Sequence, residues 1–351
     1  MIRVLIADDS AMMRKLLKRI LEADGEIEVV ASARDGLDVV DKAREHHPDV
    51  VTMDVNMPGL DGISALQYIV NEKICPVVMV SSLTQEGAVT TFEALELGAF
   101  DFVGKPGGTV SSNIEAVAPE LIGKVKAAAR LKRSRRGIQM LTRTRQETSR
   151  PAVNARPQSN RNLKAVAMGI STGGPKMIYE VLPLIPPDIN AVMFLVQHMP
   201  SNFTATYVNR LNNACKLEVV EAQAGMKVQA GTVYVGTGGK HINLVKSATG
   251  DVMIRLTSKP DHLFIPSVGV MMESVLEIYQ RKTIGVIMTG MGNDGADAMV
   301  KIRQAGGVTI AESEESAIVW GMPGDTVKKG GAEKVVPIWN IADEIVKAVN
   351  K

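Results

Sequence analysis

The chain has 351 residues, 45% of them apolar and 22% charged, with a net charge of +2, the make-up of a soluble globular protein long enough for two cores. Aromatic residues are only 4%, and the two cysteines, Cys75 and Cys215, lie far apart. This argues against stacking platforms for single-stranded nucleic acid and against a disulfide framework, and for a reducing, cytoplasmic setting. No apolar run approaches the roughly 18 residues of a membrane span, so no membrane insertion is expected, and the opening M-I-R-V-L-I-A-D-D reads as a strand running into acids rather than as a signal peptide.

Residues 1 to about 125 alternate strand and helix five times. Ile2 to Ala7 is an apolar run; Ser10 is placed to cap a helix in which Met13, Leu16, Leu17, Ile20 and Leu21 recur at helical spacing, and Gly25 ends it. Strands follow at 28–32, 50–53, 76–81 and 100–103, with a helix over 35–47 between the second and third. Such alternation predicts a five-stranded, doubly wound parallel sheet of flavodoxin type with helices on both faces. Asp8 and Asp9 end the first strand, Asp54 the third, Ser81 and Ser82 the fourth, and Lys105 follows the fifth. The fold gathers strand ends on one edge, where three carboxylates repel one another and call for a hard cation such as Mg²⁺. A metal there prepares one carboxylate to attack a phosphoryl group, and Lys105 with the Ser81 hydroxyl could hold the product phosphate.

The joint pattern of D-D, D-V-N-M-P-G-L-D-G, S-S and K-P resembles the receiver domain of two-component response regulators over residues 1 to about 122. The resemblance implies phosphorylation of Asp54 by a histidine kinase. It also implies Mg²⁺ held by Asp9, Asp54 and the Asn56 carbonyl with Asp8 assisting, and it puts Ser81, Phe102 and Lys105 at the switch and phosphate-sensing positions.

Between residues 124 and 164 there are 13 lysines and arginines against one acid, Glu147, with Pro151 and Pro157 and little apolar periodicity. The stretch reads as a basic helix running into a flexible tether, in preference to a contact with an acidic partner, because no recognition motif accompanies the charge.

A second α/β pattern begins at Leu163. Strands are expected at 165–170, 191–197, 283–289 and 307–311, with helical segments near 175–183, 202–214, 267–281 and 294–305 and a closing helix over 341–349. Runs at 232–236, 240–245 and 252–256 look like antiparallel strands, with Gly238-Gly239 and Thr249-Gly250 as turns. Three of the parallel strands end on chemistry: Ser171 in G-I-S-T-G-G-P, His198 in Q-H-M-P and Asp294 in T-G-M-G-N-D-G.

G-x-S-x-G after a strand fits either a nucleophile elbow or a phosphate loop at a helix N-terminus. A dinucleotide site would want an acid at the end of the next strand. Gln197 and His198 stand there instead, which turns the reading to acyl transfer. His198 then takes the Ser171 proton, and Asp294 orients the imidazole while also being placed to cap the helix that follows it. The Thr172 amide is placed to receive the oxyanion. The order Ser, His, Asp differs from that of α/β-hydrolases, so the fold is a different one.

With both halves and these three motifs, the chain resembles the chemotaxis protein-glutamate methylesterase (CheB) family over nearly everything outside the basic stretch. The resemblance implies hydrolysis of glutamate γ-methyl esters and deamidation of glutamines on methyl-accepting chemoreceptors, with the receiver covering the active site until Asp54 is phosphorylated. It implies a second oxyanion amide at Met291 and no cofactor for ester hydrolysis. The expected organisation is a receiver over 1–122, a basic linker over 123–162 and a mostly parallel α/β methylesterase domain with an antiparallel hairpin over 163–351. Two alternatives stand beside it. The same hydrolase could serve receptors of a non-chemotaxis sensory pathway. A non-enzymatic output could bind nucleic acid through the basic stretch, against which the intact triad and the lack of a DNA-reading motif both argue.

Overall fold

The computed structural model describes residues 1–82, 84–105, 117–133 and 163–351. The chain divides into two compact units, residues 1–146 and 147–351.

In the first unit the apolar runs form β1 (Ile2–Ala7), β2 (Ile27–Ala33), β3 (Val50–Asp54), β4 (Val77–Ser82) and β5 (Asp101–Lys105). All pairings are parallel and the order is β2-β1-β3-β4-β5, as the alternating pattern predicts. The helices α1 (Ala11–Glu22), α2 (Gly36–His46), α3 (Gly62–Asn71), α4 (Gln85–Glu96) and α5 (Ala118–Arg133) cover the sheet. The first four start at Ser10, Asp35, Asp61 and Thr84, each of which accepts a hydrogen bond from the backbone amide three residues on, satisfying a donor that the helix itself leaves open. The chain leaves β1 for β2 on one side and reaches β3 on the other, so a crevice opens at the ends of β1 and β3.

The boundary expected at residue 122 falls inside α5, which carries ordered chain to Arg133. Leu121, Val125, Ala128 and Ala129 are buried along one stripe. The basic residues taken for the start of a linker are drawn into ion pairs: Lys124 is buried between Asp101 (3.2 Å) and Glu120 (2.8 Å), and Lys126 meets Asp24 at 2.7 Å. Lysine stems cover apolar surface readily, so the basic helix expected at the start of this stretch also packs an apolar face on the sheet. The basic stretch from 134 to 162 lies outside the described residues.

The second unit holds β6 (Lys164–Ile170), β7 (Ala191–Gln197), β8 (Glu218–Glu221), β9 (Thr232–Val235), β12 (Thr283–Ile287), β13 (Val308–Glu312) and β14 (Lys334–Val336) in one sheet. The order is β14-β13-β12-β6-β7-β9-β8, parallel throughout. A separate antiparallel hairpin joins β10 (His241–Lys246) to β11 (Val252–Thr257). Its turn contains Gly250, whose φ of 84° suits glycine. The expected antiparallel strand at 232–236 is thus corrected: β9 lies inside the main sheet beside β7. All four of its residues are buried, the mark of a strand covered on both faces rather than of a half-exposed hairpin.

The helices are α6 (Gly174–Met177), α7 (Ser201–Ala214), α8 (Val268–Tyr279), α9 (Ala296–Gln304), α10 (Met322–Lys328) and α11 (Ile338–Asn350). Helix α8 packs its Val268, Met271, Met272 and Val275 with Val196, Ile287 and Met299 in one buried cluster. A Cβ on Gly169 would fall 2.2 Å from the Val268 side chain, so the helix sits down on β6 just ahead of Ser171. The switch in direction falls at β6, with β7 on one side and β12 on the other, and the crevice opens at the ends of these three strands.

Candidate active site

Ser171, His198 and Asp294 follow β6, β7 and the β12 region, and folding brings their side chains into one hydrogen-bonded chain. His198 Nδ1 lies 3.1 Å from Ser171 Oγ, and His198 Nε2 lies 2.9 Å from Asp294 Oδ2. The carboxylate therefore takes the Nε2 hydrogen, and Nδ1 presents its lone pair to the hydroxyl, the reverse of the ring orientation in the chymotrypsin arrangement.

Asp294 is fixed by three further donors. The Val268 amide reaches Oδ2 at 2.7 Å, and the Gly269 amide and Ser267 hydroxyl reach Oδ1 at 2.9 and 2.8 Å. These belong to the first turn of α8. The carboxylate thus caps that helix and not α9, which starts at Gly295 (φ 90°) without a side-chain cap; the cap expected on the following helix is corrected. Burial alone would push the Asp294 carboxyl up, but the hydrogen bonds from His198, Gly269 and Ser267 outweigh it and hold the group at about 2. It is a permanent anion beside the imidazole.

Two neighbours that sequence reading did not find flank the pair, Phe264 against His198 and His262 against Asp294. Phe264 stacks flat on the ring, centroids 4.2 Å apart and planes 9° from parallel. His262 places Nε2 3.9 Å from Asp294 Oδ1. Neither lies at a strand end, the signal that singled out the triad. Gln197 donates from Nε2 to the carbonyls of Ser171 and His198, both at 3.1 Å, tying the ends of β6 and β7 together. Phe264→Ala should lower kcat for ester hydrolysis about fivefold, since an aromatic stack is worth about 1 kcal/mol, with KM unchanged. Steady-state kinetics check this, and unchanged kcat would mean that Asp294 alone aligns the ring.

The turn after Ser171 is tight. Gly174 N donates to Ser171 O at 2.7 Å. Gly173 sits at φ 76°, where a Cβ would also strike Ile318 at 2.8 Å, so only glycine fits. Among the described residues the amides of Thr172 and Met291 donate no hydrogen bond. Thr172 is buried and Met291 half-buried. Thr172 directly follows Ser171, and Gly290, next to Met291, packs against the Ser171 side chain; open donors so placed can receive the oxygen of a tetrahedral intermediate.

In the first unit Asp8 and Asp54 are buried and Asp9 is exposed, with one carboxylate oxygen of each lying within 4.8 Å of the others. Lys105 Nζ bridges Asp8 Oδ2 at 2.8 Å and Asp54 Oδ2 at 2.7 Å. Burial pushes the Asp54 carboxyl up, and the pull of Lys105 only partly offsets it. Asn56 is exposed just beyond Asp54. Ser81 is buried and its hydroxyl donates to Gly87 O at 3.3 Å. Phe102 is buried, edge-on to Phe92 at 6.0 Å. Lys124 lies 5.2 Å above the Phe102 ring and also donates to the Phe102 carbonyl. Arg14, unnoticed in the sequence, donates to the carbonyls of Asp8 and Asp9 at 2.7 and 3.0 Å and so braces the acidic turn.

A Ser–His–Asp chain at the edge of a parallel sheet, with open amides beside the serine, is the equipment of a serine hydrolase, here joined to an acidic receiver-type crevice. Comparison with known proteins narrows the class. Residues 166–345 match the CheB methylesterase family and residues 4–112 the response regulator receiver domain. The chain is 71% identical, over the whole of both chains, to protein-glutamate methylesterase/protein-glutamine glutaminase 3 of Syntrophomonas wolfei. It is 49% identical to a protein-glutamate methylesterase/protein-glutamine glutaminase of Caldanaerobacter subterraneus, covering 100% of this chain and 97% of that one. The crystal structure of the Thermotoga maritima CheB methylesterase catalytic domain matches 52% of this chain and 97% of its own, with a TM-score of 0.51 and 37% identity. The chain belongs to the CheB methylesterase family.

Proposed function

We propose that Ser171, His198 and Asp294 are the catalytic triad of a protein-glutamate methylesterase and protein-glutamine glutaminase that demethylates chemoreceptor glutamates and so serves adaptation in chemotaxis. The observation that carries this reading is the single imidazole bonded at one nitrogen to Ser171 and at the other to Asp294.

In the first step Ser171 Oγ attacks the γ-carbonyl of the side-chain ester as its proton passes to His198 Nδ1. The Thr172 and Met291 amides receive the developing oxyanion, each such donor being typically worth about 3 kcal/mol of barrier. The imidazolium, steadied by Asp294, returns the proton to the departing methoxide and methanol leaves. Water activated by the same nitrogen then frees the glutamate from the acyl-enzyme. A glutamine amide follows the same route, with ammonia leaving in place of methanol.

The first unit is the regulatory half. The carboxylates of Asp8, Asp9 and Asp54 lie close enough to share one ion, and with the Asn56 carbonyl they would hold Mg²⁺. When bound, that ion neutralises charge in phosphoryl transfer to Asp54. Lys105, already on the Asp54 carboxylate, is placed to follow the phosphate, and Ser81 and Phe102 to relay its arrival. A histidine kinase is the phosphodonor and methyl-accepting receptors are the substrate, met in the cytoplasm. Among the described residues no helix is long and apolar enough to cross a membrane. With α5 included, the receiver extends to residue 133, the basic stretch 134–162 joins the halves, and residues 163–351 form the catalytic domain.

The test is methanol release from methylated receptor with and without a small-molecule phosphodonor. The wild-type chain should release methanol and be stimulated by the phosphodonor. Asp54→Asn should keep the unstimulated rate and lose all response. No release under either condition would defeat the hydrolase reading, and an undiminished response in Asp54→Asn would defeat the gating.

A further inference from the structure

Glu312, the last residue of β13, is fully buried, and among the described residues no ion pair reaches it. Burial pushes its carboxyl up to about 7, against the opposing pull of the hydrogen bonds from Ser316 and Thr289. A group so costly to bury and so close to the nucleophile invites the question of what it holds.

Its contacts answer. Oε2 accepts the Thr289 amide at 2.8 Å, and Oε1 meets the Ser316 hydroxyl at 2.8 Å, which in turn accepts the Ile338 amide at 2.8 Å. Thr289 spends its remaining polar atoms on the nucleophile turn. Its carbonyl accepts the Ser171 amide at 2.9 Å, and its hydroxyl donates to the Thr172 carbonyl at 3.0 Å while accepting the Val319 amide at 2.9 Å. Two residues past Thr289 lies Met291. The segment between is held from the far side, where the Gly290 carbonyl accepts the Met322 amide at 2.8 Å.

We propose that Glu312 is a positioning residue for acyl transfer: through Thr289, its carboxyl sets the Ser171–Thr172 turn and the approach to Met291, and so fixes the distance between the nucleophile and both oxyanion donors. This rests on the reading of Ser171 as the nucleophile. Thr289 ties the end of β12 to both Ser171 and Thr172 at the end of β6, and Glu312 accepts its only backbone donor. Without that acceptor the Thr289 amide is left buried and unpaired, and the end of β12 is free to shift against β6. Substrate binding outside the reacting carbonyl does not depend on this clamp, so its loss falls on kcat and not on KM.

The experiment uses the full chain and methanol release from methylated receptor, comparing Glu312→Ala, Glu312→Gln, Thr289→Val and Ser171→Ala. Glu312→Ala should lose about 10²-fold in kcat, the scale of an ångström's misplacement, with KM unchanged. Glu312→Gln, whose amide oxygen still accepts the Thr289 amide, should recover most of that loss. Thr289→Val, which keeps the shape but removes the bond to Thr172, should lose kcat without KM. If Glu312→Ala does not fold, Thr289→Val and Glu312→Gln decide the matter. Wild-type kcat in a folded Glu312→Ala or in Thr289→Val, a change confined to KM, or no recovery in Glu312→Gln would each overturn the proposal. Methanol release that survives in Ser171→Ala would instead overturn the triad, and is read separately.

Discussion

Ser171→Ala should abolish methanol release from methylated receptor, lowering kcat by on the order of 10⁶-fold, as removal of the nucleophile does in a serine hydrolase. The loss is chemical rather than structural. Alanine keeps the Cβ that packs at the turn, and the Ser171 amide and carbonyl still bond Thr289 and Gly174. His198 keeps its bond to Asp294 and its stack on Phe264. The variant should therefore unfold at the wild-type denaturant midpoint while staying silent in gas-chromatographic assay of methanol. A folded Ser171→Ala that releases methanol at a substantial fraction of the wild-type rate would take the hydroxyl out of the reaction. Reaction of the wild-type chain with a serine-directed fluorophosphonate, absent in the variant, gives an independent reading of the same atom.

That Ser171, His198 and Asp294 could be picked out from sequence follows from the fold. A parallel strand buried on both faces is a continuous apolar run, as in A-V-A-M-G-I and A-V-M-F-L-V-Q, and its end is marked by the first polar residue. Where several strands end on chemistry, the crevice rule joins them without knowledge of distances. The same logic carried Asp8, Asp54 and Lys105. It gave no access to residues whose roles come from side chains crossing between elements. Glu312 reads as the ordinary polar end of a strand. Phe264 lies in an irregular stretch where an aromatic residue is unremarkable, and Ser267 reads as a helix cap, which it also is, accepting the Val270 amide at 3.3 Å. The misread strand at 232–236 has another cause. T-V-Y-V carries no signal of which neighbour it will pair with, since pairing is decided by the sheet as a whole. Lys124 is charged in sequence but buried, its charge met by Asp101 at the start of β5 and by Glu120 one turn earlier on the same helix.

Asp294→Ala should cost about 10⁴-fold in kcat, on the scale seen when the acid of a triad is removed. Asp294→Asn should cost distinctly less than Asp294→Ala, for a reason specific to this geometry. Oδ2 serves His198 and the Val268 amide, whereas Oδ1 serves the Gly269 amide and the Ser267 hydroxyl. An asparagine that keeps its oxygen toward His198 leaves its amide facing Ser267, whose hydroxyl can turn to accept, so only the Gly269 amide loses its partner. The Nε2–H form of the ring is then retained, and what disappears is the negative charge that steadies the imidazolium. Equal losses in the two variants would mean that the asparagine flips and forces the wrong tautomer.

Stability supplies a second readout on the same residue. The folded carboxyl, at about 2, lies below its ordinary value of 3.8. Its ionised form therefore stabilises the fold at pH above about 4, by on the order of 2 kcal/mol. That contribution drains away as pH falls from about 4 toward 2 and protons bind. The wild-type chain should accordingly be more resistant to urea than Asp294→Asn at pH 7, with the gap narrowing as the pH is lowered below 4. A gap that is constant across that range would show that the carboxylate's charge contributes nothing to holding α8 on the sheet, and that Asp294 serves His198 alone.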